Sequence, residues 1–376
     1  MLLPLCFWLL PGSGQAAKPT FNTLYSFEGG AHGDGDSPFG TLAMDASGVL
    51  YGVTSIGGAY SSPACSTGGC GTVFSLSPPV SPGAPWTEEV LWSFGGFAED
   101  GNGPNVVIVG SGGVLYGAAG GGASGGGIVF SLAPPASPGA QWTETILWNF
   151  AGGPSDGFGP SGVVLGADGV LYGTTAGGGT SGFGTVFALS PSSGGRGAWT
   201  ETILWNFAGA AGDGAYPDAP MVFGSSGSLY GTTTGGGASG KGIVFSVTPP
   251  GAEGGSWTEN VLASFGRNAN GSSSPLTVGR SGVLYRETRS SPLSWGTVFA
   301  LMPPPARGGV WKKRVLFTFP KRGPKKTKYG GDPAGPLVEL ADGSLLGLSQ
   351  MGGTLDDGTL YRLKPRRRQV PAGACG

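Results

Sequence analysis

One phrase recurs six times along this chain, and a repeat of that length restricts the fold more than any single residue does. Its core reads Leu-Tyr-Gly-Thr-Thr, a glycine-rich loop, Gly-Thr-Val-Phe-x-Leu, a proline pair, then Trp-Thr-Glu-x-x-Leu-Trp-x-Phe. The anchor falls at Leu50-Tyr51, Leu115-Tyr116, Leu171-Tyr172, Leu229-Tyr230 and Leu284-Tyr285, with a degenerate copy at Leu345-Leu346. Successive anchors stand 55 to 65 positions apart. Self-similarity at such a period marks a chain built from equivalent, stacked units.

Each unit holds four short runs rich in Val, Ile, Thr, Phe, Tyr and Trp, residues that suit a pleated, half-buried strand. In the third copy the runs are 161–165, 170–175, 185–190 and 199–207. Asp168-Gly169, Ser226-Gly227, Ser281-Gly282 and Asp342-Gly343 supply the positive φ that tight hairpins need. No stretch shows a sustained helical period. Four-stranded meanders repeated radially make a β-propeller, and the expected fold is all-β: six four-stranded antiparallel blades. The last copy lacks a Trp-Thr-Glu strand, while Thr23-Leu24-Tyr25-Ser26-Phe27 resembles 146–150 and 203–207. The N-terminal strand is therefore expected to complete the last blade and close the ring, which removes exposed sheet edges. An open solenoid is the alternative. Glycine makes up 78 of 376 residues, a level that otherwise suggests disorder. Here the glycines sit at periodic turns between apolar runs.

Residues 1–17 read as a secretory leader: an apolar Leu2–Leu10 stretch, a Pro-Gly break, then Gln15-Ala16-Ala17, but no basic start. Residues 18–365 are assigned to the propeller and 366–376 to a basic, disordered tail. An exported or cell-envelope location follows. It makes a Cys65–Cys70 disulfide plausible, with two free thiols as the alternative. Net charge is −1, yet residues 307–376 hold 14 of the 21 Lys and Arg. Lys312, Lys313, Arg314, Lys321, Arg322, Lys325, Lys326 and Lys328 form a candidate patch for an anionic surface or polymer. A solvated basic face is at least as good a reading. Nucleic acid fits poorly, because no nucleic-acid motif is present.

The phrases Gly-Val-Leu-Tyr-Gly-Thr-Thr, Gly-Thr-Val-Phe and Leu-Trp-Asn-Phe-Ala-Gly-Gly, with Asp-Gly-x-x-Pro between them, resemble the GloVer tandem-repeat family over residues 20–364. The resemblance implies a secreted or surface-displayed bacterial β-repeat protein, and it implies no activity. Members of that family carry varied C-terminal anchors. This sequence ends without an apolar sorting segment, so a soluble exported form is expected.

Catalytic constellations are scarce. His32 is the single histidine and sits in a loop; no nucleophile signature surrounds it. Multi-histidine metal sites are excluded by that count. Glu88, Glu144, Glu201 and Glu259 belong to the repeat and are expected to face solvent from the outermost strand. Asp36, Asp45, Asp218, Glu253 and Asp357 are not repeated, but sequence brings no two of them together. Asp34, Asp100, Asp156 and Asp213 recur as Asp-Gly-x-x-Pro in the loops between blades. Calcium accepts such carboxylates; an Asx-type turn before proline is the favoured reading. The tryptophans Trp86, Trp142, Trp199, Trp257 and Trp311 are assigned to blade packing, and the off-pattern Trp295 to an exposed ligand platform. The expected function is a monomeric, non-catalytic binding module for a glycan or other envelope polymer, without a cofactor. A propeller enzyme acting on carbohydrate or lactone through channel acids and a purely structural surface protein are the alternatives.

Overall fold

The computed structural model describes Tyr25, Phe27 and most of residues 34–365. Its gaps fall at 61–64, 66–67, 82–83, 138, 193–197, 211, 225–226, 253, 267–274, 290–293, 306–308, 321–330, 334 and 352–358. The leader, the basic tail, His32, Glu253, Asp357 and the lysine-rich stretch 321–328 lie outside the described residues.

Six antiparallel sheets follow one another along the chain. Blade 1 holds β1 (Gly35–Met44), β2 (Leu50–Gly57), β3 (Thr72–Ser77) and β4 (Thr87–Ser93). Blade 2 holds β5 (Gly101–Val109), β6 (Leu115–Gly121), β7 (Ile128–Ala133) and β8 (Thr143–Asn149). Blade 3 holds β9 (Gly157–Leu165), β10 (Leu171–Gly178), β11 (Thr185–Pro191) and β12 (Trp199–Asn206). In blade 4 the inner strand is split into β13 (Gly214–Pro217) and β14 (Val222–Phe223), followed by β15 (Leu229–Gly236), β16 (Ile243–Thr248) and β17 (Thr258–Ser264). Blade 5 holds β18 (Thr277–Val278), β19 (Leu284–Thr288), β20 (Ser294–Met302) and β21 (Lys312–Pro320). Blade 6 has a split inner strand, β22 (Gly331–Pro333) and β23 (Val338–Glu339), then β24 (Leu345–Met351) and β25 (Thr359–Leu363). The molecule is a six-bladed β-propeller. Single-turn 3-10 segments at Ser111–Gly113 and Arg280–Gly282 serve as inner hairpin turns.

The repeated phrase maps onto repeated contacts. The anchor leucines Leu115, Leu171, Leu229, Leu284 and Leu345 are fully buried. The glycine two places later lies beneath an aromatic ring of the third strand: a methyl on Gly52 would meet Phe74, and one on Gly231 would meet Phe245. The second threonine of the phrase pairs with the threonine of Gly-Thr-Val-Phe, as in Thr54–Thr72 (2.8 Å), Thr175–Thr185 (2.8 Å) and Thr288–Thr297 (2.7 Å).

The cores lie between blades, not within them. One cluster joins Val73 and Phe94 of blade 1 to Leu115 and Phe130 of blade 2; the next joins Phe150 to Leu171 and Phe187. At each boundary the phenylalanine ending one outer strand meets a ring of the next blade edge-to-face. The pairs are Phe94–Phe130, Phe150–Phe187, Phe207–Phe245, Phe265–Phe299 and Phe319–Tyr361, with centroids 5.0 to 5.9 Å apart. Phe27 packs on Phe74 of blade 1 at 5.0 Å in the same arrangement. The pairing expected for residues 23–27 as a strand lies outside the described residues.

In five blades the register between third and fourth strands shifts at Val-Phe: Val73/Phe74, Val129/Phe130, Val186/Phe187, Val244/Phe245 and Val298/Phe299. Side chains alternate along a strand, so one extra residue reverses the facing of everything beyond it. The first half of the outer strand therefore packs on the preceding blade and the second half on the following one. Trp142 and Ile146 join the cluster shared with blade 1, and Trp148 the cluster shared with blade 3.

Candidate binding face

The connections between blades and the loops between second and third strands share one face. Three devices hold them. The proline of Asp-Gly-x-x-Pro packs on the glycine that opens Gly-Thr-Val-Phe in the preceding blade: a methyl on Gly71 would come within 2.7 Å of Pro104 Cδ, and one on Gly184 within 2.8 Å of Pro217 Cδ. The residue before that proline donates its N–H to the preceding loop, as in Gly103 to Cys70 O (2.7 Å), Gly159 to Gly126 O (2.7 Å) and Tyr216 to Phe183 O (2.9 Å). The aspartate folds back on its own loop. Asp156 accepts from Gly157 N (2.7 Å), Asp213 from Ala208 N (2.6 Å) and Gly214 N (2.7 Å), and Asp100 from Gly96 N (3.0 Å). Asp34 accepts from the Tyr25 hydroxyl at 3.0 Å. A calcium ion would have to displace these donors. Among the described residues, no three Asp, Glu, His or Cys gather where a metal ion could be held.

The strand glutamates correct an expectation: they do not face solvent. Glu144 lies on the same strand side as Trp142 and Ile146, turned toward the preceding blade beside Asp100. Burial, then the Asp100 charge, pushes its carboxyl up to about 8. Glu88 beside Asp34, Glu201 beside Asp156 and Glu259 beside Asp213 are raised to about 7 by the same two causes. Four blade boundaries thus hold two neighbouring carboxyls, one of which gives up its proton only near or above neutral pH.

The fifth boundary breaks this pattern. Lys313 stands where the other blades have glutamate, and Arg286 replaces the glycine of Leu-Tyr-Gly. Arg286 is 1 % exposed; its guanidinium lies 5.1 Å from the Phe265 ring centre. Burial lowers its pKa, and the nearby Asp218 charge opposes that shift. The Lys313 ammonium sits 4.5 Å over Phe299 and 4.9 Å over Phe265. Glu287, also buried, accepts from the Tyr361 hydroxyl of blade 6 and is raised to about 8 by burial. Arg286 and Glu287 are buried anchors between blades, while Lys313 lies over the boundary rings and stays exposed. Lys313 also divides the expected basic patch. Lys313 turns onto rings while its strand neighbours Lys312 and Arg314 point the other way, and the remaining members lie outside the described residues.

Trp295 is half-buried against the cluster shared by blades 5 and 6, because β20 starts at Ser294 and takes it into the sheet; it is not the exposed platform expected. Asp45 closes the first inner hairpin through Ser47 N (2.9 Å) and the Tyr51 hydroxyl (3.1 Å), and Asp36 is exposed beside Ser37. Trp199, Trp257 and Trp311 pack on Tyr116, Tyr172 and Tyr230 of the preceding blade.

Cys65 and Cys70 are joined by a disulfide, with Cα atoms 5.0 Å apart. Cys70 O is the acceptor that docks blade 2 through Gly103. A bridge closing so short a loop stabilises by about 2 kcal/mol in the chain-entropy account. Reduction, or replacement of both cysteines by serine, is expected to lower Tm by about 3 °C in a thermal melt. An unchanged Tm would show that the loop docks without its bridge.

What the loop face offers a ligand is aromatic. Tyr60, Phe97, Phe158 and Tyr216, exposed by 46 to 52 %, are all the aromatic residues that the described chain leaves exposed, and all lie on this face. Sequence reasoning missed them. The available signal was an aromatic at a variable position of the repeat, as at the x of Asp-Gly-x-x-Pro for Phe158 and Tyr216.

Solved structures resembling this chain share its architecture at low identity. A protein from Lactobacillus plantarum aligns at 16 % identity with TM-score 0.54, over 86 % of this chain and 83 % of its own. A gluconolactonase from Xanthomonas campestris aligns at 15 % with TM-score 0.46, over 88 % and 87 %. An ulvan lyase, described as a polysaccharide lyase, aligns at 10 % with TM-score 0.48, over 86 % and 77 %. Likeness at such identity shows the fold alone. Nothing among curated protein sequences matches. The Gloeobacter/Verrucomicrobia repeat matches residues 15–218, 62–291 and 195–372, which together span nearly the whole chain. The chain belongs to that repeat family.

Proposed function

We propose that this propeller is an exported, non-catalytic binding module whose ligand is a glycan or another cell-envelope polymer. The observation that carries the reading is the segregation of every exposed aromatic in the described chain to the loop face. Functional residues are commonly loop residues on a rigid scaffold, and an aromatic ring can stack on the C–H face of a sugar. A non-catalytic role is supported by where the acids go: the repeated glutamates and aspartates are used between blades, and Asp218 stands beside Arg286. Export is supported by the apolar N-terminal stretch and the Cys65–Cys70 bridge.

The test is a glycan and envelope-polymer array probed with the mature protein at 0.05 and 0.5 M salt. Retention of one neutral glycan class at both salts is the expected outcome. Binding limited to anionic polymers and abolished by salt would transfer the activity to the basic residues of blade 5. Binding to nothing would leave a structural repeat protein.

A further inference from the structure

At the boundary of blades 3 and 4, a position that is glycine in blades 2 and 3 and another that is glycine in blade 2 are both aromatic, and the rings meet. The first is Tyr216, before Pro217. Its φ is +58°, a left-handed conformation matched at the equivalent Gly103 (+52°), Gly159 (+68°), Ser37 (+58°) and Asp332 (+51°). Docking dictates this shape, because the N–H must reach the preceding loop, and Thr234 Oγ1 donates back to Tyr216 O at 3.0 Å. Glycine meets the requirement without strain, and short polar residues tolerate it; a bulky side chain there is an outlier. The scaffold thus gains nothing from tyrosine that glycine would not give better. Strain of this kind persists where the side chain is needed.

The second is Phe183, which takes the place of Gly126 in the bridge between loop ends (Gly121 with Gly126, Gly178 with Phe183). Its ring meets Tyr216 edge-to-face, centroids 5.5 Å apart at 71°. Both rings lean on glycine backbone. A methyl on Gly209 would sit 2.9 Å from Phe183, and one on Gly235 would sit 3.0 Å from Tyr216. Phe158, 52 % exposed on the adjoining strand of blade 3, leans in the same way on Gly152 and Gly177. The Tyr216–Phe183 pair and Phe158 are bedded on glycine backbone and flanked by Asp156 and Asp213, whose oxygens already accept backbone N–H bonds.

Resting on the binding-module reading above, we propose that Tyr216, Phe183 and Phe158 form a sugar-stacking subsite for an uncharged polysaccharide. A touching ring pair with a third ring on the adjoining strand suits successive pyranose units better than one apolar partner surface. Peptide N–H and C=O groups beside them suit hydroxyls, and flanking carboxylates disfavour uronic acid or sulfate.

The experiment uses the whole mature protein with soluble neutral probes (laminarin, galactomannan, xyloglucan, cellohexaose) and anionic ones (alginate, hyaluronan), followed by affinity electrophoresis and calorimetry. Tyr216→Gly, alone and with Phe183→Gly, restores the glycines that blade 2 has at these positions. Tyr216→Gly alone should keep or raise Tm as strain is released, whereas the double variant should melt a few degrees lower, because Phe183 packs on the core shared by blades 3 and 4. Both should lose at least about tenfold affinity for the neutral probe that wild type binds, and Phe158→Ala should lose less. Unchanged affinity in the double variant would overturn the subsite while leaving the binding-module reading intact. Preference for alginate or hyaluronan would overturn the neutral assignment. Failure to bind any probe would overturn both.

Discussion

Gly184→Ala is expected to destabilise the propeller by about 3 kcal/mol or more, lowering Tm by at least about 4 °C. Gly184 opens Gly-Thr-Val-Phe in blade 3 and adopts φ +96°; Gly71, Gly127, Gly242 and Gly296 adopt +91° to +110° at the same place. An added methyl would overlap Thr175 O behind it and come within 2.8 Å of Pro217 Cδ in front, with Ala176 C at 3.2 Å. Two of these are main-chain atoms of the adjacent strand, and the third belongs to the proline that docks the next blade. None can swing aside as a flexible side chain would. The strain of positive φ and the clash therefore add. Gly182→Ala is the control: φ is +76°, but nothing lies within 4 Å of the added methyl. It should cost only the conformational penalty, about 1 kcal/mol. Equal melting of both variants would show that close docking of the proline on this glycine is not what fixes blade to blade.

That glycine illustrates what could be read in advance. The period, the four-strand unit and the ring follow from apolar alternation and from the fixed order of the phrases, because each phrase makes the same contact in successive blades. Phe27 on Phe74 repeats Phe94 on Phe130, a contact that the Tyr-x-Phe near the start shares with the ends of the outer strands. Facing was not legible. Alternation alone turns the strand glutamates outward, whereas the register shift at Val-Phe lets the first half of the outer strand face the preceding blade. Such bulges leave no mark in composition. Trp295 was misplaced because β20 starts before its phrase does, at Ser294. Phe158, Phe183 and Tyr216 were passed over because repeat-based reasoning attends to what recurs. A binding site on a repeated scaffold is written instead in the positions that vary.

The buried acids make stability fall as pH rises from 5 to 8, the reverse of what salt-bridged carboxylates do. An unfolded glutamate gives up its proton near 4.5, whereas Glu88, Glu201 and Glu259 hold theirs to about 7 and Glu144 to about 8. Between those values the folded chain binds more protons than the unfolded one. The slope of unfolding free energy with pH is therefore negative. It levels off above pH 8, when both states are ionised, and below about pH 4.5, when both are protonated. Glu287, raised to about 8 by burial, adds to the slope with the same sign. Asp45 and Asp342 are lowered by hydrogen bonds from Ser47 and Ser344 and act only below this window. The ceiling is about 1.4 kcal/mol per pH unit per group. Half-exposed carboxyls realise a fraction of it through solvent screening, so Tm should drop by about 5 °C across the window. Replacing Glu88, Glu144, Glu201 and Glu259 together by glutamine keeps a neutral side chain of the same shape beside each aspartate, and should flatten most of that slope. A wild-type Tm that is constant or rises between pH 5 and 8 would mean that the boundary carboxyls are ionised and solvated. The proton-sharing pairs between blades would then have to be given up.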